Sequence, residues 1–152
     1  MKRFKSAILA LVMVMGIGMV KPAEAYAIPT ATTCDTWLRD PSGKNGKMVP
    51  AGRWYSPVAY LYNDWVAVAD FMSGKLVGSI YVGNLEHNYV VTHGANLRSE
   101  PKVADNIIGF VPKGSTTIVT DDRGNRYWAQ VMWNGKVGYV SRQYVDPLHE
   151  FL

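Results

Sequence analysis

The chain has 152 residues, 48% of them hydrophobic, and a formal net charge of +4. A pI near 9.2 would fit an anionic partner such as nucleic acid, but the excess charge is concentrated in the first 25 residues, so that partner class is excluded for the remainder. A single cysteine, Cys34, excludes an internal disulfide.

The amino terminus reads as an export leader. "MKRFK" is basic, "AILALVMVMGIGMV" is an apolar run of 14 residues from Ala7 to Val20, and "KPAEA" sets Ala23 and Ala25 at the spacing of a signal-peptidase site. The run falls short of the ~20 apolar residues that span a bilayer, and Lys21 and Pro22 end it. Residues 1–25 are therefore predicted to be a cleaved signal peptide. That leaves no stable membrane anchor and makes the mature chain, from near Tyr26, secreted or otherwise extracytoplasmic, in the cell envelope or periplasm. Cleavage removes Lys2, Arg3, Lys5, Lys21 and Glu24, which lowers the net charge from +4 to +1. A lipoprotein anchor would need its cysteine directly after the apolar run, and Cys34 lies well beyond it. A tolerated free thiol and a Cys34-linked dimer both stay open.

"YAIPTATTCDT" is an extended lead-in. Beyond it no helical periodicity develops. Short alternating apolar runs are broken by Gly, Pro, Asn and Asp about every eight to twelve residues, the spacing of an all-β sandwich or barrel. The first half runs through "WLRDP", "MVPAG", "NDWVAV" and "GKLVGSIYVGNL". The second half answers in the same order with "NLRSEP", "FVPKG", "RYWAQV" and "GKVGYVSRQYV", at an offset that drifts only between 59 and 63 residues. Four matched pairs in order predict a tandem repeat of one small β-module, 26–87 and 88–152. Modules of roughly 55–65 residues fold alone only marginally, so two packed together would share burial.

The second half is the clearer copy. "NYVV" and "ANL" read as short strands, "RSEPKVADN" as a polar loop, "IIGFV" and "TTIVT" as strands about a "PKGS" turn, and "DDRGN" as a reversing loop. "YWAQVMW" and "KVGYV" form a hairpin through Asn134-Gly135, because both residues accept the positive φ of a type I′ turn. "SRQY" allows one 3₁₀ turn and "VDP" closes. Gly52 and Gly114 fall where a turn tolerates positive φ, and Gly78 and Gly138 where a return strand bulges or meets another backbone.

"ANLRSEP", "IIGFVPKG", "YWAQV" and "NGKVGYVSRQYV" together resemble the bacterial SH3-like (SH3b) domain of secreted and cell-envelope proteins, over about residues 89 to 147. The first half resembles it in degenerate form. It keeps Leu38, Arg39, Pro50, Gly52, Trp65, Val68, Gly74, Lys75 and Gly78, carries an extra residue at Leu76-Val77, and has Ser79 and Asn84 where the second half has Tyr139 and Tyr144. The resemblance implies an all-β chain of tandem small SH3-like β-barrels. It also implies recognition of peptidoglycan or another envelope polymer, although one fold hosts many functions.

Alternation in "RYWAQVMW" puts Tyr127, Ala129, Val131 and Trp133 on one face and Trp128, Gln130 and Met132 on the other. Small Ala129 and β-branched Val131 suit a tight interior, so Trp128 points outward, to be covered by a loop or the partner module, or offered to a ligand. Tyr139 and Tyr144 flank the terminal turn, and the loop from Arg98 to Asn106 would fold towards the same edge. Trp128, Tyr139, Tyr144 and Glu100 are thus the candidate ligand-binding residues: aromatic walls for a sugar ring or extended peptide, and a carboxylate for an amine. Alternatively, both tyrosines close the barrel through their hydroxyls. Arg98 and Arg39 hold the same repeat position, where an arginine can pin a long loop by its carbonyls or meet an anion.

Nothing points to catalysis, a cofactor or a metal. His87, His93 and His149 have no metal-ligand spacing. A thiol–imidazole pair of Cys34 with His87 or His93 would lack any local motif, and Asp121-Asp122 suits a turn better than a catalytic pair. The expectation is a non-catalytic binding protein for peptidoglycan or another envelope component. The alternative is an exported protein–protein interaction or regulatory factor without glycan binding, its partner an extracytoplasmic protein.

Overall fold

The computed structural model describes residues 28–120 and 126–148. The predicted leader, the "DDRGN" loop with Asp121-Asp122, and His149 lie outside them. Among the described residues the regular elements are strands and short 3₁₀ turns, as the short β-branched and aromatic runs favour.

The first half supplies β1 (Thr30–Ala31), β2 (Thr36–Arg39), β3 (Gly46–Val49), β4 (Trp54–Tyr60), β5 (Trp65–Asp70) and β6 (Leu76–Tyr81). They form one antiparallel sheet in the order β1-β4-β5-β6-β2-β3. The lead-in is thus part of the sheet, with Thr30 and Ala31 paired to Tyr55 and Trp54. The second half supplies β7 (Tyr89–Val91), β8 (Ala95–Arg98), β9 (Ile107–Val111), β10 (Thr116–Thr117), β11 (Trp128–Trp133), β12 (Lys136–Ser141) and β13 (Val145–Pro147). Here the sheets are β10-β7-β13 and β11-β12-β8-β9.

The two orders run in parallel. β11-β12-β8-β9 repeats β5-β6-β2-β3, and β7 beside β10 repeats β1 beside β4. Register agrees to the residue: Arg39 pairs with Ser79, and Arg98 with Tyr139. At both places a glycine next to the pairing site lets the strands approach. A Cβ on Gly78 would lie 1.9 Å from the Arg39 carbonyl oxygen, and one on Gly138 would lie 2.6 Å from that of Arg98. The Asn134-Gly135 turn has positive φ at both residues, 52° and 75°, as the hairpin pattern requires.

The parallel breaks between β10 and β11. "TTIVT" reads as a five-residue strand, yet only Thr116 and Thr117 are one. The backbone beyond them is held by other partners. The Asn88 side chain accepts from the Val119 N–H at 2.9 Å and donates to its carbonyl at 3.3 Å. Leaving the ladder sends Ile118 and Val119 into different cores. Val119 joins Val91, Leu97, Val111, Ala129, Val131 and Val140, while Ile118 joins the first half's Leu38, Val66, Val68 and Ile80. Full burial of such a side chain stabilises by ~1.5–3 kcal/mol.

The exchange runs both ways. Ile28 packs against the second half's core, and its carbonyl accepts from Asn88 at 2.8 Å. Met132 and Val137 pack against the first half's core. Tyr60 locks the seam. Its N–H donates to the Gln130 side-chain oxygen at 3.1 Å, and its hydroxyl donates to the Ile118 carbonyl. Burial pushes the Tyr60 hydroxyl far above the usual tyrosine range.

Candidate ligand-binding surface

The β11–β12 hairpin decides which side chains reach the surface. Ala129 pairs with Val140 and Val131 with Gly138, facing inward; Trp128 pairs with Ser141, Gln130 with Tyr139 and Met132 with Val137, facing outward. Ala129 and Val131 are fully buried, so alternation assigns the faces correctly. Tyr127 is the exception. Alternation puts it inside, but β11 begins one residue later and Tyr127 is 73% exposed.

The outward face has two ends. Near the Asn134-Gly135 turn, Met132 and Val137 lie under the first half, and Gln130 takes the Tyr60 N–H. At the other end Trp128 and Tyr139 are half-buried. There an open depression of about 380 Å³ is lined by Arg126, Tyr127, Trp128, Ser141, Arg142 and Gln143. Arg142 frames it, donating its N–H to the Tyr127 carbonyl at 2.9 Å and a guanidinium N–H to the Trp128 carbonyl at 3.4 Å.

The four residues singled out by sequence are not all brought together. Trp128 and Tyr139 share the face. Glu100 lies on the long loop two residues beyond Arg98, the strand partner of Tyr139, and its carboxylate meets Lys102 at 3.2 Å with both side chains 62% exposed. Tyr144 takes a different position. It ends the 3₁₀ turn Arg142–Tyr144, packs against the second half's core, and sets its ring 5.5 Å from that of His93. Arg98 pins the loop through its carbonyls, donating to the Ala104 carbonyl and to the Asn106 side-chain oxygen, each at 3.0 Å.

The equivalent face of the first half carries an arrangement that the motif comparison missed. Trp65 stands where Trp128 does, but its partner is Tyr81 rather than a serine. Their rings meet edge to face at 6.2 Å and 74°. The Arg39 guanidinium lies over the Trp65 ring, 3.8 Å from its centroid. Comparing Ser79 with Tyr139 hides this, because the replacement aromatic sits two residues further along β6; extending the alternation from Trp65 across the hairpin would have found it.

His87 and His93 are both engaged locally. The His87 Nδ1 is 2.7 Å from the Thr116 hydroxyl, and His93 sits beside Tyr144. Cys34 is an exposed free thiol. Among the described residues no group of three His, Cys, Asp or Glu side chains is set to hold a metal ion, and no helix is long and apolar enough to cross a membrane.

The bacterial SH3 domain family matches residues 93–146. That span contains the Arg98-pinned loop, the β11–β12 hairpin and the closing 3₁₀ turn. The second half is thus similar to bacterial SH3 domains over most of its length. Solved structures also match, two NlpC proteins among them. NlpC2 from Trichomonas vaginalis is 21% identical with a TM-score of 0.38, over 79% of this chain and 47% of its own. NlpC1 from the same organism is 16% identical with a TM-score of 0.36, over 86% of this chain and 51% of its own. The chain thus spans about half the length of either. No curated protein matches it. Within the matched span Arg98 serves the loop and Tyr144 the core, which leaves Trp128 and Tyr139 as the aromatic pair on the outward face.

Proposed function

We propose that the chain is an exported, non-catalytic binding protein made of two SH3-like modules, 26–87 and 88–152, and that its bacterial SH3 domain holds peptidoglycan or another envelope polymer. The observation that carries this reading is the open depression at Trp128 within the family-matched span. An indole face with polar rims suits a sugar ring or an extended peptide, where aromatic anchors supply most of the binding energy. Tyr139 extends the apolar surface, and Glu100 offers a carboxylate to an amine. The basic, apolar, small-residue order of residues 1–25 supports export.

The test is co-sedimentation with purified sacculi at physiological salt. The wild-type chain is expected to pellet, and Trp128→Ala and Tyr139→Ala to stay in solution. A wild-type chain that stays in the supernatant removes the reading. In that event the second reading takes its place, an exported protein–protein interaction factor. Its support is that the same outward face already packs Met132 and Val137 against folded protein. Crosslinking in living cells would then recover an extracytoplasmic protein. Exposed Cys34 is available for an intermolecular disulfide, which non-reducing electrophoresis would reveal as a dimer band lost on reduction.

A further inference from the structure

We infer that the outer sheet face of the first half is a second, separate binding surface, and that it takes a sugar chain bearing carboxylates. In β2, Thr36 and Leu38 point into the core while Trp37 and Arg39 point out. Trp37 pairs with Met48 and Arg39 with Gly46 on β3. On the other side of β2 lies β6, followed by β5 with the Trp65–Tyr81 pair. Trp65, Tyr81, Arg39, Trp37 and Met48 therefore occupy one face across four adjacent strands, about 14 Å at the usual strand spacing.

Two glycines shape this face. Trp37 leans over Gly46, where a Cβ would fall 2.8 Å from its indole atoms, and so stands beside the Arg39 row. A Cβ on Gly83 would fall 2.7 Å from the Tyr81 ring. The rings are held in place yet open, with Trp37 at 45%, Tyr81 at 43% and Met48 at 61% exposure. A contiguous exposed apolar face with polar groups among it marks an interaction site.

Arg39 names the ligand. Its guanidinium stacks on Trp65 and, among the described residues, makes no hydrogen bond or ion pair. Contact with the ring engages the face of the guanidinium, and its unused N–H fork is of the kind that matches two coplanar oxygens. The adjacent Asp40 does not compete, because its carboxylate accepts from the Ser42 N–H and hydroxyl inside its own loop, and the Ser42 bond holds its pKa below the usual value. A carboxylate on the Arg39 fork, with the C–H faces of neighbouring sugar rings on Trp37 and Tyr81, engages the charge and both open rings of the face. The surface does not overlap the Trp128 depression, so either site can fail alone.

The test is titration of the full chain with a hexuronic acid oligosaccharide, followed by tryptophan fluorescence. The controls are the same oligosaccharide with its carboxyls reduced to alcohols, and inorganic phosphate as competitor. The wild type is expected to bind the acidic form at least about tenfold more tightly than the reduced form, since a bond to a charged partner contributes more than 1.4 kcal/mol. Arg39→Gln and Trp37→Ala should each weaken binding by about tenfold or more, while Val103→Ala, at an exposed side chain of the second half's long loop, leaves it unchanged. Trp37 is exposed, so its variant remains informative if Arg39→Gln unfolds. Equal binding of acidic and reduced forms, wild-type affinity in Trp37→Ala, loss in Val103→Ala, displacement by phosphate at equal concentration, or no binding by the wild type would each overturn the inference.

Discussion

Arg39 and Arg98 occupy the same register position in the two halves and do different work. Both sit at the end of the strand that pairs with the closing hairpin, opposite Ser79 and Tyr139 respectively. The loop after Arg98 is long, and the arginine fork holds it at Ala104 and Asn106. The loop after Arg39 is short and self-sufficient. The Asp40 N–H donates to the Asn45 carbonyl at 2.7 Å, and the Asp40 carboxylate holds Ser42. With no carbonyls to collect, Arg39 lies on Trp65 instead. A repeated residue therefore marks a shared backbone position, while the neighbouring loop decides what its side chain does.

Substitutions at the paired glycines should strain the parallel most. Gly78→Ala places a methyl against the Arg39 carbonyl at a φ of +151°, and a cost of about 3–4 kcal/mol is expected; Gly138→Ala, with slightly more room, should cost about 2–3 kcal/mol. Denaturant unfolding measures both, and a wild-type midpoint in either would break the equivalence of the two hairpins. Next comes Ile118→Ala, which empties a site in the first half's core from a residue of the second. A loss of about 2–4 kcal/mol is expected. If stability is unchanged, the halves do not share their burial.

Tyr60→Phe removes the seam hydrogen bond at a cost of about 1–2 kcal/mol. It should also change the response to alkali. The folded-state pKa of Tyr60 is raised above its ordinary value of 10.0. Its contribution is thus fully present below about pH 10 and is lost as pH climbs towards the folded value. Thermal midpoints of the wild type should fall above pH 10, and those of Tyr60→Phe less steeply. Tyr55, also raised by burial, accounts for the slope that remains. The smallest expected effect separates the arginines themselves. Arg98→Met should cost about 1 kcal/mol and speed amide exchange across 100–106, whereas Arg39→Met leaves exchange across 40–45 unchanged.

Much of the fold was legible because its cues are local. The Asn134-Gly135 turn, the β11 and β12 strands and the 3₁₀ turn before Val145 lie where the sequence places them. Each depends on one dihedral preference or on a period-2 alternation contained in a few residues. The directions of the candidate residues were legible in part. Trp128 was read outward correctly because Ala129 and Val131 beside it are small or branched and buried. Tyr144 was harder to place. Its side chain leaves a turn rather than a strand, so no alternation fixes its direction, and it packs against the core beside His93.

The sequence by itself determined the β character, the bacterial SH3 signature of the second half and the closing hairpins, because each is written in spacing and turn chemistry. Only the tertiary structure decided that "TTIVT" leaves its ladder after Thr117, that Ile28 and Ile118 cross between cores, and that Arg39 stacks on Trp65 instead of pinning a loop. The core crossings arise where the two small halves meet, and burial shared there between residues distant in sequence outweighs local preference. Arg39 stacks on Trp65 within the first half because its short loop bonds to itself and offers the guanidinium no carbonyl.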